Sequence, residues 1–144
     1  MSTITEAFTA DHRQCDHRFA ELEAAAAKGD WSETGRLLGE FRQALERHML
    51  AEEESMFPGI EARTGGSSGP TEVMRMEHEE MRQLIEELAQ AADTGDERTF
   101  LGVAETLLVL MQQHNMKEEQ IVYALADELM DEAHAADARA RIEA

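Results

Sequence analysis

The chain is short of most things that would build a stapled, β-rich or membrane-bound fold. Cys15 is its one cysteine in 144 residues, so no internal disulfide can form and a reducing compartment suits it. Two prolines, Pro58 and Pro70, leave long stretches free to stay helical. Aromatic residues make up 5 % of the chain, with one Trp and one Tyr, far from the aromatic and β-branched richness of strands. Positive charge is scarce: 13 Lys and Arg face 31 Asp and Glu, for a net charge of -18. Such a surface repels phosphate backbones and anionic lipid, so neither nucleic acid nor membrane is an expected partner. Long apolar runs are missing too. The most apolar segment, Phe100 to Met111, falls short of the roughly 20 residues a spanning helix needs and contains Glu105. The start, MSTITEAFTADH, has no basic cluster and no apolar run, so no signal peptide is expected. A soluble, cytoplasmic protein is the expectation.

What is present is Ala, Leu, Glu and Met in helical periodicity. Thr3-Ile4-Thr5-Glu6 has the form of a capping box and predicts a first helix with the stripe Phe8, His12, Cys15, Phe19, Leu22, Ala26. Gly29 stops it and Asp30 caps the second. That helix is expected from about Trp31 to Phe57, with the stripe Leu38, Phe41, Leu45, His48, Glu52, and Pro58-Gly59 is expected to break or kink it. TGGSSGP, Thr64 to Pro70, is a loop, and Ser68 is a possible cap for the third helix. The third stripe is Met74, His78, Met81, Ile85, Leu88, Ala92. After Gly95-Asp96 the fourth is Phe100, Ala104, Leu107, Met111, continuing to Ile121 and Leu125. Asp127 to Ala144 reads as a short further helix. Residues 1-126 are expected to form the bundle and 127-144 a helical tail packed on it or extending it.

The two halves match at a fixed offset of 66 residues without a gap. The offset pairs His12 with His78, His48 with His114, Glu52 with Glu118, Glu53 with Glu119, Phe57 with Tyr123, and Gly29-Asp30 with Gly95-Asp96. The fold class is therefore all-α: a duplicated helix-turn-helix unit forming an up-down-up-down four-helix bundle, plus a short C-terminal helix. His12 lies 17 residues before Gly29, and His48 lies 19 after it. At a rise of about 1.5 Å per residue the two return to nearly the same height, and the second copy repeats this about Gly95. All four histidines should share one inward layer. Glu52 and Glu118 follow one turn further along the same faces.

A histidine and a carboxylate at leucine positions cost several kcal/mol unless something positive compensates them. Four imidazoles and two carboxylates suit two metal ions, each with two histidines, both carboxylates bridging, and an oxo, hydroxo or water bridge between. Mixed nitrogen and oxygen ligation above four-coordination favours iron, with manganese second. The predicted metal ligands are His12, His48, Glu52, His78, His114 and Glu118. The Glu-x-x-His pairs of ferritin-like bundles are absent, and His78-Glu79-Glu80-Met81-Arg82 lacks the second histidine of a zinc-protease motif.

These residues resemble a hemerythrin-like, or HHE cation-binding, domain. The resemblance rests on Asp11-His12, on His48 to Glu53 followed by Met56-Phe57-Pro58, on Glu77-His78, and on His114 to Glu119 followed by Val122-Tyr123. It covers roughly residues 4 to 126 and implies a four-helix bundle around a non-haem di-iron centre. Oxygen-carrying members use a fifth histidine where this chain has Arg82, and an aspartate where it has Glu119. The chain thus resembles the four-His, two-Glu branch, which includes the di-iron domain of iron-centre repair proteins. The N-terminal cysteine-bearing extension of those proteins is not expected here.

His17 lies off the His12 stripe and His134 in the tail, and neither is expected to be a ligand. Cys15 reads as a small core residue. Each of Asp11, Glu53, Glu77 and Glu119 either hydrogen-bonds a ligand or lies exposed on its helix, and the sequence does not favour the first. Leu101, Leu108 and Val109 widen the fourth helix's apolar face, to meet the tail or a second copy in a homodimer. The expected function is binding or sensing of dioxygen, nitric oxide or peroxide at a di-iron centre. The alternatives are an enzyme reducing peroxide or nitric oxide, or iron storage and donation for iron-centre repair.

Overall fold

The computed structural model describes residues 2–66 and 69–143. Helix α1 (Ile4–Ala27) opens on the expected capping box: the Thr3 hydroxyl accepts from the Glu6 amide, and the Glu6 side chain accepts from the Thr3 amide. Gly29 turns the chain at φ 73°, a conformation that costs glycine little. Asp30 then caps α2 (Trp31–Ala51) by accepting from the Glu33 amide. The helical path runs on through a π turn (Glu52–Met56) into α3 (Phe57–Thr64). Pro58 therefore does not end this helix, so of the expected break or kink the break is not found. Helix α4 (Pro70–Thr94) starts behind Gly69 with Pro70 in its first turn, and Ser68 lies outside the described residues. Asp96 caps α5 (Glu97–Lys117), which continues through a second π turn (Glu118–Val122) into α6 (Tyr123–Leu129). Helix α7 (Glu132–Glu143) follows.

The duplication is structural. Ile4 and Pro70, Trp31 and Glu97, Glu52 and Glu118, and Phe57 and Tyr123 all begin elements 66 residues apart. Helix α1 packs on α2, α2 on α4, α4 on α5, and α5 back on α1, which closes an up-down-up-down bundle. The apolar interior falls into two clusters. Phe19, Leu22, Phe41, Ile85, Leu88, Phe100 and Leu107 fill the end near the Gly-Asp turns. Ile4, Phe8, Met56, Phe57, Ile60, Val122 and Ala126 fill the other, where α7 adds Ala135, Ala138 and Ile142. Helix α7 lies across α1, α2 and the first π turn, tied by Ser55 to Asp137 and by Arg141 to Glu54. It leaves the outer face of α5 uncovered, and Val109 there stays 48 % exposed. The tail thus does not pack on Leu101, Leu108 and Val109.

The π turns change which residues face inward. A regular α-helix through Glu118 would carry the stripe on to Ile121 and Leu125. The turn closes one residue later, with the Tyr123 amide donating to the Glu118 carbonyl. Each extra residue rotates the downstream part of the helix by about 100°. Ile121 is consequently 50 % exposed, while Val122, Tyr123 and Ala126 are buried. The first copy does the same with Met56, Phe57 and Ile60. The second turn forms with Ala124 where the first has Pro58, so the proline is not its cause.

Candidate metal centre

Between the two apolar clusters lies one polar layer. His12, His48, His78, His114, Glu52 and Glu118 are all 3 % exposed or less. They form two sets of possible ligand atoms that share the carboxylates: His12, His48, Glu52 and Glu118, and Glu52, His78, His114 and Glu118. Each glutamate turns one oxygen to each set. Glu52 Oε2 lies 3.0 Å from His48 Nε2, and Oε1 lies 3.0 Å from His78 Nε2. Glu118 Oε1 lies 3.0 Å from His12 Nε2, and Oε2 lies 3.1 Å from His114 Nε2. The rings pair across the layer, His12 with His48 at 4.6 Å and His78 with His114 at 4.9 Å between centroids.

Every histidine presents Nε2 inward and gives Nδ1 to an outer carboxylate. His12 meets Glu119 at 2.8 Å, His48 meets Asp11 at 2.7 Å, His78 meets Glu53 at 2.6 Å and His114 meets Glu77 at 2.8 Å. The sequence left these four carboxylates undecided, and the structure places all of them on the histidines. With the proton on Nδ1, the Nε2 lone pair points inward, the tautomer that metal ligation needs. Arg82 and Lys117 share the outer carboxylates of the second set, Arg82 bonding Glu53 and Lys117 bonding Glu77.

The charges of the layer perturb one another strongly. Burial would lower His48, but Glu52 and the bond to Asp11 hold it well above the usual histidine range. Burial opposes His78 as well, yet the carboxylates of Glu118, Glu52 and Glu53 raise it to about 11. Burial likewise works against His114, and Glu118 raises it. In the other direction, burial would raise Glu118, but His114, His12 and His78 hold it well below the carboxylate range. Without metal, protons on His48, His78 and His114 supply compensating charge. Even so, Glu52 Oε1, His78 Nε2 and Glu118 Oε2 are buried without a hydrogen-bond partner. The 3.0 Å approach of Oε1 to Nε2 is too poorly aligned to count as one. Three unpartnered polar atoms buried within 4.8 Å of one another are costly in a protein interior and fit a cation.

One participant escaped the sequence reading. The Tyr123 hydroxyl sits in the first set, 2.6 Å from Glu52 Oε2, 2.9 Å from Glu118 Oε1, 2.9 Å from His12 Nε2 and 3.2 Å from His48 Nε2. It enters because the π turn brings the fifth residue after Glu118 inward. The available signal was the repeat itself, which pairs this lone tyrosine with Phe57. Phe57 lies against His78 with centroids 5.7 Å apart, much as Tyr123 lies against His12 at 5.5 Å, but brings no oxygen.

The remaining candidates are placed elsewhere. His17 is exposed, and His134 is exposed and bonded to Asp131. Cys15 is buried among apolar side chains, and burial pushes its thiol up to about 11. That makes it an unreactive core residue. No helix among the described residues is long and apolar enough to cross a membrane.

One family model, the hemerythrin HHE cation-binding domain, matches residues 3–126, the span that contains every residue of this layer. No curated protein and no solved structure gives a match.

Proposed function

Since the chain belongs to the hemerythrin HHE cation-binding family, and is thereby a metal-binding protein, we propose that it is a non-haem di-iron protein that binds or senses a small ligand. His12 and His48 would hold one ion and His78 and His114 the other, with Glu52 and Glu118 able to serve both. The observation that carries this reading is the trio of buried, unpartnered atoms, Glu52 Oε1, His78 Nε2 and Glu118 Oε2. Mixed nitrogen and carboxylate donors without thiolate favour iron over zinc, with manganese second. When bound, two adjacent irons supply two electrons, matched to dioxygen, nitric oxide or peroxide.

The chain's own contribution is selection and positioning. The six layer residues are at most 3 % exposed, a burial that favours small molecules over bulky substrates. The outer carboxylates lock each imidazole's tautomer and direction, and bond through it to raise its donor strength. The apolar clusters on either side keep bulk water out.

The test is metal analysis followed by gas exposure. Protein purified from its own cells should carry two irons per chain. The reduced form should take up one small ligand per pair of irons and release it on evacuation. Continuous consumption of peroxide or nitric oxide would assign an enzyme instead. Iron loading far beyond two per chain would assign storage.

A further inference from the structure

We propose that the two metal positions are chemically unlike: the Tyr123 oxygen is a fifth protein ligand at the His12–His48 position, so the exogenous ligand enters at the His78–His114 position. The assignment rests on the di-metal reading above and adds a ligand and a site of entry to it.

The first support is distance. In an octahedral shell with bonds of about 2.1 Å, neighbouring ligand atoms lie about 3 Å apart. The Tyr123 oxygen lies 2.6 to 3.2 Å from all four donor atoms of the first set. Within that set His12 Nε2 and Glu118 Oε1 are 3.0 Å apart, as are His48 Nε2 and Glu52 Oε2, while His48 Nε2 and Glu118 Oε1 are 4.0 Å apart. The phenol oxygen thus lies at about one ligand-to-ligand spacing from every donor atom of the set, and those four atoms all lie within 4.8 Å of one another.

The second support is hydrogen-bond capacity. With each histidine proton on Nδ1, all four neighbours of the phenol are acceptors. A hydroxyl has one proton to give. With the histidine protons held on Nδ1 by the outer carboxylates, one phenol proton cannot serve four acceptors, whereas a cation satisfies all of them together with the phenol oxygen. In the metal-free layer extra imidazole protons do that work, through His12 to Glu118 and His48 to Glu52. On ion binding the phenol proton leaves to solvent, and the phenol oxygen forms the new bond to the ion.

The third support is the contrast within the repeat. Phe57 occupies the equivalent place in the second set and contributes only an apolar ring. The three orphaned atoms, Glu52 Oε1, His78 Nε2 and Glu118 Oε2, all belong to that second set. Its outer carboxylates are also the ones shared with Arg82 and Lys117. Asp16 and Ala51 stand at the matching positions of the first copy. Cation pairing draws electron density away from His78 and His114, which weakens them as donors. The first position therefore favours the ferric state, and the second is the one left with an open vertex.

The experiment compares the full chain with Tyr123→Phe and Phe57→Tyr after iron loading and air oxidation. The oxidised wild type should show a visible phenolate-to-iron(III) charge-transfer band, with phenolate vibrations enhanced on excitation into it. Tyr123→Phe should lose the band while keeping two irons and wild-type helicity. Phe57→Tyr should strengthen the band and weaken binding of added azide, because it fills the open vertex. Two irons per chain with no phenolate band in the wild type would overturn the assignment and leave the di-metal reading standing. A band that survives in Tyr123→Phe would overturn it as well. Absence of bound metal would remove the di-metal reading and the assignment together.

Discussion

The two halves of this chain repeat element for element, yet they meet different surroundings. The first π turn, Glu52–Met56, lies beneath α7, which binds it through Ser55 and Glu54. The second, Glu118–Val122, carries Ile121 half-exposed on an open face. At the other end of the repeat, Asp127 reaches across to the start of α1 and accepts from the amides of Ile4 and Thr5. Its counterpart Glu61 instead accepts from Arg75. What the halves share is the inner layer: two histidines, one glutamate and two outer carboxylates each. What they do not share lies one step outward, at Phe57 and Tyr123, at Asp16 and Arg82, and at Ala51 and Lys117. Duplication supplies a symmetric cage cheaply, and substitutions around the cage then make its two positions unequal.

The strongest test of the shared layer is to remove a shared residue. Glu118→Ala takes one oxygen from each set and should reduce bound metal from two ions to one or none per chain. His114→Ala touches only the second set and should cost one ion. Elemental analysis of both variants beside the wild type separates these outcomes. Unchanged stoichiometry in both would sink the six-residue assignment.

The layer was legible because everything up to the two glutamates obeys regular helix geometry. Spacings of three and four residues carried Phe8 to His12, Leu45 to His48 and Met111 to His114 onto one face, and the structure buries all of them. The offset of 66 then put the two copies in register. Legibility failed just beyond Glu52 and Glu118, where each helix widens into a π turn. The amino-acid pattern gives little warning of that, since Glu-Glu-Glu-Ser-Met and Glu-Glu-Gln-Ile-Val are ordinary helical sequences. Ile121 was therefore expected inside and is exposed, Leu125 is only partly buried against the apolar cluster, and Tyr123 was overlooked. The outer carboxylates were ambiguous for another reason. Whether Asp11 or Glu119 reaches a histidine depends on which helix lies alongside, and that is a tertiary fact.

A smaller effect should separate the outer shells. Losing a carboxylate bonded to a ligating histidine commonly costs about 10- to 100-fold in metal affinity. Glu119→Gln should fall in that range at the first position. Glu53→Gln should do so at the second and also release Arg82, whose bonds to Glu53 are both 3.0 Å. Stepwise chelator titration should show one weakened ion in each variant, a different one in each case. Equal weakening of both ions by either variant would mean that the halves are not independent at this level.

Protons should distinguish the metal-free protein from the loaded one. In the metal-free chain His78 is raised from 6.5 to about 11, and His48 and His114 are raised as well. A raised histidine stabilises the fold fully below its unfolded value, near 6.5, and that stability is lost as pH climbs toward the folded value. Glu53, lowered from 4.5 to about 2 where burial is outweighed by His78 and Arg82, works the other way. Its contribution is present above 4.5 and disappears as pH falls toward 2, and the depressed Glu118 adds the same trend. Chelated protein should thus be most resistant to urea between about pH 4.5 and 6.5 and should weaken in mild alkali. Metal uptake must displace the imidazole protons, so loaded protein should bind its ions more tightly as pH rises through the same alkaline range. Parallel pH profiles for the two forms would contradict this.

The smallest expected effect bears on the difference that looks largest in the sequence. A proline inside an α-helix costs about 3 kcal/mol, because it offers no amide proton and its ring meets the carbonyl four residues back. Pro58 escapes most of that cost. The π turn has already opened the ladder at Glu52–Met56, and the Phe57 amide reaches back five residues to the Glu52 carbonyl. The second copy builds the same turn with Ala124. If the turn is set by the need to aim Glu52 and Phe57 inward, Pro58 merely occupies a site that tolerates it. Pro58→Ala should then change stability by less than about 1 kcal/mol in denaturant unfolding and leave metal content untouched. A gain near the full helix-interior value would show that the first copy carries strain the second has shed, and would extend the inequality of the halves from their side chains to their backbone.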